Sequence, residues 1–397
     1  MSANTSIEWT TTRRWNPETG VLALFPGYTF NPWSGCAKIS PGCANCYAAA
    51  LPPGMRRGAV WGENGTRPEA SDDYWRQPLA WAAKARKLGV RLKVFCASTA
   101  DVFEDRAELD PLRDRLFALI ALTPELDWLL LTKRPEVAVR YFAGMPRGAI
   151  DRAGDHFGRA IRINNPNDPA FYPQLRIGVS VEDQAATARI APLLSLGCKT
   201  FLSCEPLLGP VDLRRVPWPG CGHTDADGQP DCHDNTYNAL TGNDSCSHGY
   251  WGGGRSARIG WVIAGGESGH RARPMHPDWA RSLRDQCAGA GVPFLFKQWG
   301  EWAPWFNEEH FTRGADERYA HAWLDADTGK GGAAWITDGD SLWSNWTGEP
   351  RRAVQPIREE QFGCVADLHP AVAVMGRHGK HAAGRLLDGV THDGFPS

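Results

Sequence analysis

The sequence predicts an α/β fold, a partial (β/α) barrel of about six parallel strands, and three observations predict it. Six short apolar runs recur along the chain, most of them followed by an amphipathic helical pattern. Each run ends in polar residues at its C-terminal side, where barrel-type α/β folds place their active sites. A loop with three closely spaced cysteines precedes the series.

The elements follow in order. Residues 1–35 are rich in Trp, Thr, Pro and Gly, and Asn31-Pro32-Trp33-Ser34-Gly35 leads into Cys36-Ala-Lys-Ile-Ser-Pro-Gly-Cys43-Ala-Asn-Cys46-Tyr47. A helix begins after Cys46 and is interrupted by Pro52-Pro53-Gly54. From Asp72 to Leu88 the spacing of Tyr74, Trp75, Leu79, Trp81, Ala82, Ala85 and Leu88 is helical, and Gly89 closes it. The first strand run, 91–98, ends in Ser98-Thr-Ala-Asp101, and a helix follows over 109–122. The second, 128–132, ends in Lys133-Arg134-Pro135, with a helix over 136–142. Residues 144–173 read as a long excursion rich in Gly, Pro and Asn. The third run, 175–180, ends in Val181-Glu182-Asp183 before a helix over 185–194. The fourth, 199–203, ends in Cys204-Glu205-Pro206. The fifth, 259–264, ends in Gly265-Gly266-Glu267-Ser268-Gly269, with a helix over 279–290, and 293–298 closes the series at Lys297-Gln298. Any one of these polar residues suits a helix cap or a solvated turn; six sets at the same end point to a shared site.

Two stretches break the rhythm. Residues 217–256 form an insert of low hydrophobicity with Cys221, His223, Cys232, His233, Cys246 and His248, a set that could ligate a zinc ion or an auxiliary cluster but lacks a tight C-x2-C pair, so a flexible loop is the first reading. Residues 299–350 hold seven tryptophans among Gly, Asp and Thr and read as a β-rich cover, with core packing the default role of the rings. The expected division is thus a barrel over 1–298, with the cysteine loop at 36–46 and the insert at 217–256, then a cover and basic tail over 299–397.

Composition narrows the function classes. Of 397 residues, 42% are hydrophobic and 22% charged, ordinary for a globular enzyme, and the net charge of −2 gives no global attraction to polyanions. Eleven cysteines, an odd and scattered count, suit reduced thiols and metal ligands in a cytoplasmic setting better than a disulfide framework. Nothing at the N-terminus reads as a signal peptide, and no apolar run approaches the roughly eighteen residues of a membrane span.

The cysteine loop carries the chemistry. Its spacing is C-x6-C-x2-C, and Pro41-Gly42 turns the chain so that the sulfurs of Cys36, Cys43 and Cys46 can converge. Three thiolates with no evident fourth suggest a 4Fe-4S cluster with one iron open; a zinc knuckle borrowing a distant ligand, or three unligated thiols, have the same spacing.

These residues also form a recognisable set. Ile7-Glu8-Trp9-Thr10, Trp15-Asn16-Pro17, the cysteine loop, Leu131-Thr132-Lys133-Arg134-Pro135, Gly178-Val-Ser-Val-Glu182, Ser203-Cys-Glu205-Pro-Leu-Leu-Gly209-Pro210, Gly265-Gly-Glu-Ser-Gly269, Lys297-Gln298-Trp299-Gly300 and Gly384-Arg-Leu-Leu-Asp388-Gly resemble a phage-associated family of three-cysteine-motif proteins. That family looks like a divergent branch of the radical S-adenosylmethionine enzymes, and some members are linked to hypermodification of thymidine in phage DNA. The resemblance implies an isomerase that moves an amino-acid linkage, such as glycyl, from nitrogen to carbon on a modified thymidine, supplied with electrons by a host reductant protein and protecting phage DNA from restriction. It implies cluster ligands Cys36, Cys43 and Cys46 with Tyr47 beside them. Ser98, Asp101, Glu182 and Glu205 are then expected at S-adenosylmethionine. Lys133, Arg134, Lys380 and Arg385 are expected at substrate, with Glu267 and Lys297 as catalytic residues there. A zinc protein that binds nucleic acid without catalysis, and a radical enzyme on a free metabolite or tRNA base, are the competing readings.

Overall fold

The computed structural model describes residues 4–5, 7–17, 19–146, 148–161, 165, 168–218, 236–244, 257–304, 319–325, 331–337, 340–345, 372–377 and 379–396. An antiparallel hairpin of β1 (Thr12–Asn16) and β2 (Val21–Phe25) precedes β3 (Tyr28–Thr29), β4 (Leu92–Cys96), β5 (Leu126–Thr132), β6 (Leu175–Ser180) and β7 (Lys199–Cys204). A small sheet of β8 (Val216–Pro217), β9 (Thr236–Asn238) and β10 (Asn243–Asp244) comes next, then β11 (Val262–Gly265) and β12 (Phe294–Gln298). The strands β3, β4, β5, β6, β7, β11 and β12 pair side by side in that order, all parallel, in one curled open sheet that forms a half-barrel. The predicted fold class holds. The seventh strand, β3, has only two residues, too few to leave a pattern in the sequence.

Two of the helices, those over Asp72–Leu88 and Pro277–Ala290, carry a side-chain cap at the N-terminus. The helix α1 (Tyr47–Ala50) stops at one turn before Pro52-Pro53, shorter than its sequence suggested. Ser71 accepts from the Tyr74 amide at the start of α2 (Asp72–Leu88), Asp72 and Asp73 sit in its first turn, and Gly89 ends it at φ +64°. The others are α3 (Asp110–Leu122), α4 (Pro135–Gly144), α5 (Ala149–Gly154), α6 (Ile190–Leu194) and α7 (Pro277–Ala290). Of these, α5 lies within the stretch expected to be an excursion.

Side-chain alternation along the strands gives two cores. Leu92, Val94 and Cys96 pack with Trp75, Trp81, Leu116 and the other inward faces of the helices. Phe95, Leu129, Phe201, Ile263 and Leu295 gather on the opposite, concave face around Trp9 and Trp261. The Trp9 ring stands 4.8 Å from Phe95 and 6.0 Å from Trp261, edge-on to both, so the N-terminal segment fills the hollow of the half-barrel.

The C-terminal tail covers the last strand. Leu295 bridges antiparallel to Asp393, the Phe296 amide donates to the His392 carbonyl at 3.0 Å, and the Trp261 indole donates to the Gly394 carbonyl at 2.8 Å. This protects an edge that would otherwise expose unpaired backbone groups. The cover is β-rich as expected: β13 (Trp302–Pro304), β14 (Tyr319–Asp325), β15 (Gly331–Thr337), β16 (Asp340–Asn345) and β17 (Val372–Arg377) form one antiparallel sheet. Trp299 and Trp302 are buried, whereas Trp305, Trp346 and all six Cys and His of the insert lie outside the described residues. Among the described residues no helix is long and apolar enough to cross a membrane.

Candidate active site at the mouth of the half-barrel

The chain leaves β3 and runs alongside the end of β4. Gly35 bridges parallel to Ala100, its amide donates to the Thr99 carbonyl at 2.9 Å, and the Ser34 and Thr99 hydroxyls meet at 3.1 Å. This carries residues 36–46 across the C-terminal ends of the strands, with Pro41–Cys43 in a 3-10 turn where Pro41-Gly42 predicted one.

Buried ion pairs at the strand ends hold the loop there. Asp101, past β4, accepts from the Thr132 hydroxyl at 2.6 Å, the Phe103 amide at 3.0 Å and Arg134 at 2.8 Å. The same guanidinium donates to the Ala37 carbonyl at 2.9 Å and lies 3.7 Å from Cys36 Sγ. Glu104, paired with Arg67 where both side chains are only 3% exposed, accepts the Ala37 amide at 2.9 Å. Glu182, past β6, accepts from the Ser40 hydroxyl at 2.8 Å, from Arg189 at 2.6 Å and from Lys133. Glu267, past β11, takes Arg273 on both oxygens at 2.6 and 2.8 Å and Asn45 at 3.1 Å, while Arg273 also donates to the Pro41 carbonyl at 3.1 Å. Each carboxylate is desolvated and paired with a cation, and each binds the loop directly or through that cation.

Two glycines are required by close approach. A side chain at Gly42 would place Cβ 2.4 Å from Glu182 Oε1, and one at Gly266 would place it 1.8 Å from the Trp299 carbonyl oxygen. The Gly265-Gly266 pair therefore lets the β11 and β12 ends pack backbone to backbone. With its oxygens taken, Glu267 is placed as an anchor for the loop.

Glu205 and Lys297 differ. Lys297 Nζ lies 2.7 and 2.8 Å from the two Glu205 oxygens, Gln298 adds a bond of 3.2 Å, and none of these partners belongs to the loop. The pair keeps 25% and 20% side-chain exposure for lysine and glutamate. Tyr47 donates to the Ser98 carbonyl at 2.8 Å, the Ser98 hydroxyl is engaged by Asn31, and the charge of Glu205 reaches the Tyr47 phenol. Lys380 is exposed in the tail. Arg385 is committed elsewhere, pairing with Glu8 and Asp393 and so joining the two ends of the chain.

The three cysteines are free and half-buried. Among the described residues no three Cys, His, Asp or Glu are grouped closely enough to hold a metal ion. Two of the sulfurs have local partners: Cys36 donates to the Ala37 carbonyl at 3.3 Å and Cys43 lies 3.6 Å from the Ser40 hydroxyl. Burial, then the Asp101 charge, pushes the Cys36 thiol up to about 12. Burial also works against the Cys43 thiolate, but a backbone hydrogen bond at Ile39 and the Lys133 charge outweigh it, holding that thiol below its ordinary value. The donor set fits a cluster in kind: three soft ligands on one loop, with the other described cysteines elsewhere, Cys96 and Cys204 on strands, Cys287 on α7 and Cys198 just before β7.

Ser40, Asn45, Glu104 and Arg189 were not foreseen. Ser40 and Asn45 lie inside the cysteine loop, which was a signal for them; nothing local marks Arg189.

A family model described as protein of unknown function (DUF5131) matches residues 4–396. No curated protein matches the chain. Among solved structures, a spore photoproduct lyase double mutant with bound AdoMet and dinucleoside spore photoproduct is similar over 49% of this chain, at 10% identity and a TM-score of 0.28. The match spans about half, 48%, of that chain.

Proposed function

The chain belongs to the DUF5131 family, and we propose that it is a radical S-adenosylmethionine enzyme with its active site in the mouth of the half-barrel. The observation that carries this reading is the position of the Cys36, Cys43 and Cys46 loop, laid over the C-terminal strand ends and fastened by buried ion pairs to three of them. A 4Fe-4S cluster with one iron open to S-adenosylmethionine supplies, when bound, the electron that breaks a carbon–sulfur bond of that cofactor, and with it a carbon radical able to take hydrogen from an unactivated carbon.

The chain's own residues do the rest. Cys36, Cys43 and Cys46 would hold the cluster. The Lys133 charge favours the Cys43 thiolate above it. Trp9, Phe95, Phe201 and Trp261 close the hollow below, excluding water from that side. Glu205, Lys297 and Tyr47 remain for cofactor and substrate.

For the substrate we retain what the motif set implies, a glycyl-modified thymidine in phage DNA rearranged by an isomerase during hypermodification that blocks restriction, with a host reductant protein. Lys297 suits the glycyl carboxylate. Lys133 and Arg134 are engaged below the loop, so phosphate contacts fall to exposed cations such as Arg271 and Lys380. A duplex base would have to be flipped to reach the mouth.

The test is anaerobic reconstitution with iron and sulfide, followed by visible absorbance, iron per chain and assay of 5′-deoxyadenosine. Cluster absorbance and cofactor cleavage should appear, and each of Cys36→Ala, Cys43→Ala and Cys46→Ala should abolish both. Tightly bound zinc with no cleavage would replace this reading with the zinc-protein one.

A further inference from the structure

Of the four carboxylates that the sequence singled out at the strand ends, three are nearly sealed. The Asp101, Glu182 and Glu267 side chains are 6%, 1% and 5% exposed, and each serves the cysteine loop directly or through its cation. The Glu205–Lys297 pair stands apart on both counts: it stays open to the mouth, and its hydrogen bonds go to itself and to Gln298. A structural explanation that covers the other three pairs does not cover this one.

Building on the radical-enzyme reading of the mouth, we propose that Glu205 and Lys297 clamp an α-amino-acid head group, Glu205 taking its ammonium and Lys297 its carboxylate. The exchange is balanced. A zwitterion replaces one ion pair with two, so neither protein charge loses its partner, whereas a simple amine or acid satisfies one and strands the other. The geometry suits the exchange. Lys297 spans both Glu205 oxygens at 2.7 and 2.8 Å and sits on a flexible stem, free to swing toward a carboxylate. Gln298 stays behind, bonded to Glu205 Oε1 and to the Ser268 hydroxyl at 3.0 Å, and keeps the carboxylate aimed while the lysine moves. Strand pairing sets Lys297 on β12 and Glu205 one residue past the end of β7, on either side of β11.

Two ligands carry such a head group: the methionyl end of S-adenosylmethionine, and an amino acid borne by the substrate base. Three probes separate them on the full-length protein by equilibrium dialysis: S-adenosylhomocysteine, 5′-methylthioadenosine, which lacks the head group, and a glycyl-modified thymidine nucleoside. If the clamp serves the cofactor, wild type binds S-adenosylhomocysteine at least about tenfold tighter than methylthioadenosine, and Glu205→Gln and Lys297→Met each erase that gap. If it serves the substrate, those variants leave S-adenosylhomocysteine unchanged and weaken the nucleoside by about tenfold or more. Affinities unchanged for all probes overturn the proposal. The double swap Glu205→Lys with Lys297→Glu keeps an ion pair and guards against misfolding. A folded swap with wild-type affinity for every probe makes the pair structural and also overturns the proposal. None of the probes needs a cluster, so a missing cluster sinks the radical-enzyme reading while the head-group preference is judged separately.

Discussion

Replacing Glu182 with glutamine keeps the shape of the side chain and removes its charge. Glu182 is 1% exposed and lies between Lys133 and Arg189, themselves 18% and 15% exposed, with the Ser40 hydroxyl on one oxygen. The glutamine amide can accept from one cation only, and its NH2 group faces the other. Breaking a buried pair in this way costs about 3–5 kcal/mol, because the partner charges stay behind without a counterion. Against a total stability of roughly 5–15 kcal/mol the loss is large, and for a chain of 397 residues it corresponds to a fall in Tm of roughly 4–6 °C. Because Ser40 hangs from the same carboxylate, residues 38–46 should also become open to protease before the barrel unfolds.

The pH dependence follows from the same charges. Burial raises the Glu182 carboxyl, but Lys133 and Arg189 outweigh it and hold it below its ordinary value of 4.5. A carboxylate depressed in the folded state adds its stability above the unfolded value and loses it as pH falls through the folded one. Wild-type stability should therefore decline in acid below about pH 4.5, and the glutamine variant should lack that part of the decline. Urea unfolding from pH 3 to 7, with limited proteolysis of the loop, measures both effects. A variant within 1 kcal/mol of wild type, with an equally protected loop but no S-adenosylmethionine binding, would refute the anchoring role and return Glu182 to the cofactor.

Three further outcomes are expected. Gly42→Ala forces a methyl group against Glu182 Oε1; it should cost about 1–3 kcal/mol in urea unfolding and reduce the iron retained after reconstitution. Trp9→Ala empties the hollow of the half-barrel and should cost about 3–5 kcal/mol with little change in far-ultraviolet circular dichroism, since the helices pack on the other face. Lys93 is lowered from 10.5 to about 8, chiefly by burial, so the unfolded chain binds its proton more tightly and stability should rise with pH between those values. Lys93→Met should gain roughly 1–3 kcal/mol at pH 7 and lose that rise, as read by thermal unfolding across pH 7–10.

The strands from β4 to β12 were legible because each is a buried apolar run, and a run such as Trp128-Leu-Leu-Leu has few other places to go. The helix α2 was legible through its apolar spacing and Gly89, and α7 was foreseen from residue 279, two residues inside its start at Pro277. The cysteine loop and its turn could be read from spacing alone, as could the gathering of Asp101, Glu182, Glu205, Glu267 and Lys297 at one end of the sheet. Local pattern carries all of this, since period and turn chemistry act within a few residues. Partner choice does not act locally. Glu182 and Glu205 follow similar apolar strands, yet one is sealed beneath Ser40, 142 positions away in sequence, while the other stays open beside Lys297, 92 positions away. Which carboxylate anchors the loop and which faces the mouth depends on where the strands set the cations and on where the loop crosses them. Likewise the basic tail reads as solvated or anion-binding until Arg385 meets Glu8 and Asp393 across the whole length of the chain. Burial, the property that separates a sealed ion pair from an open one, exists only once the sheet has curled and the loop has closed over it.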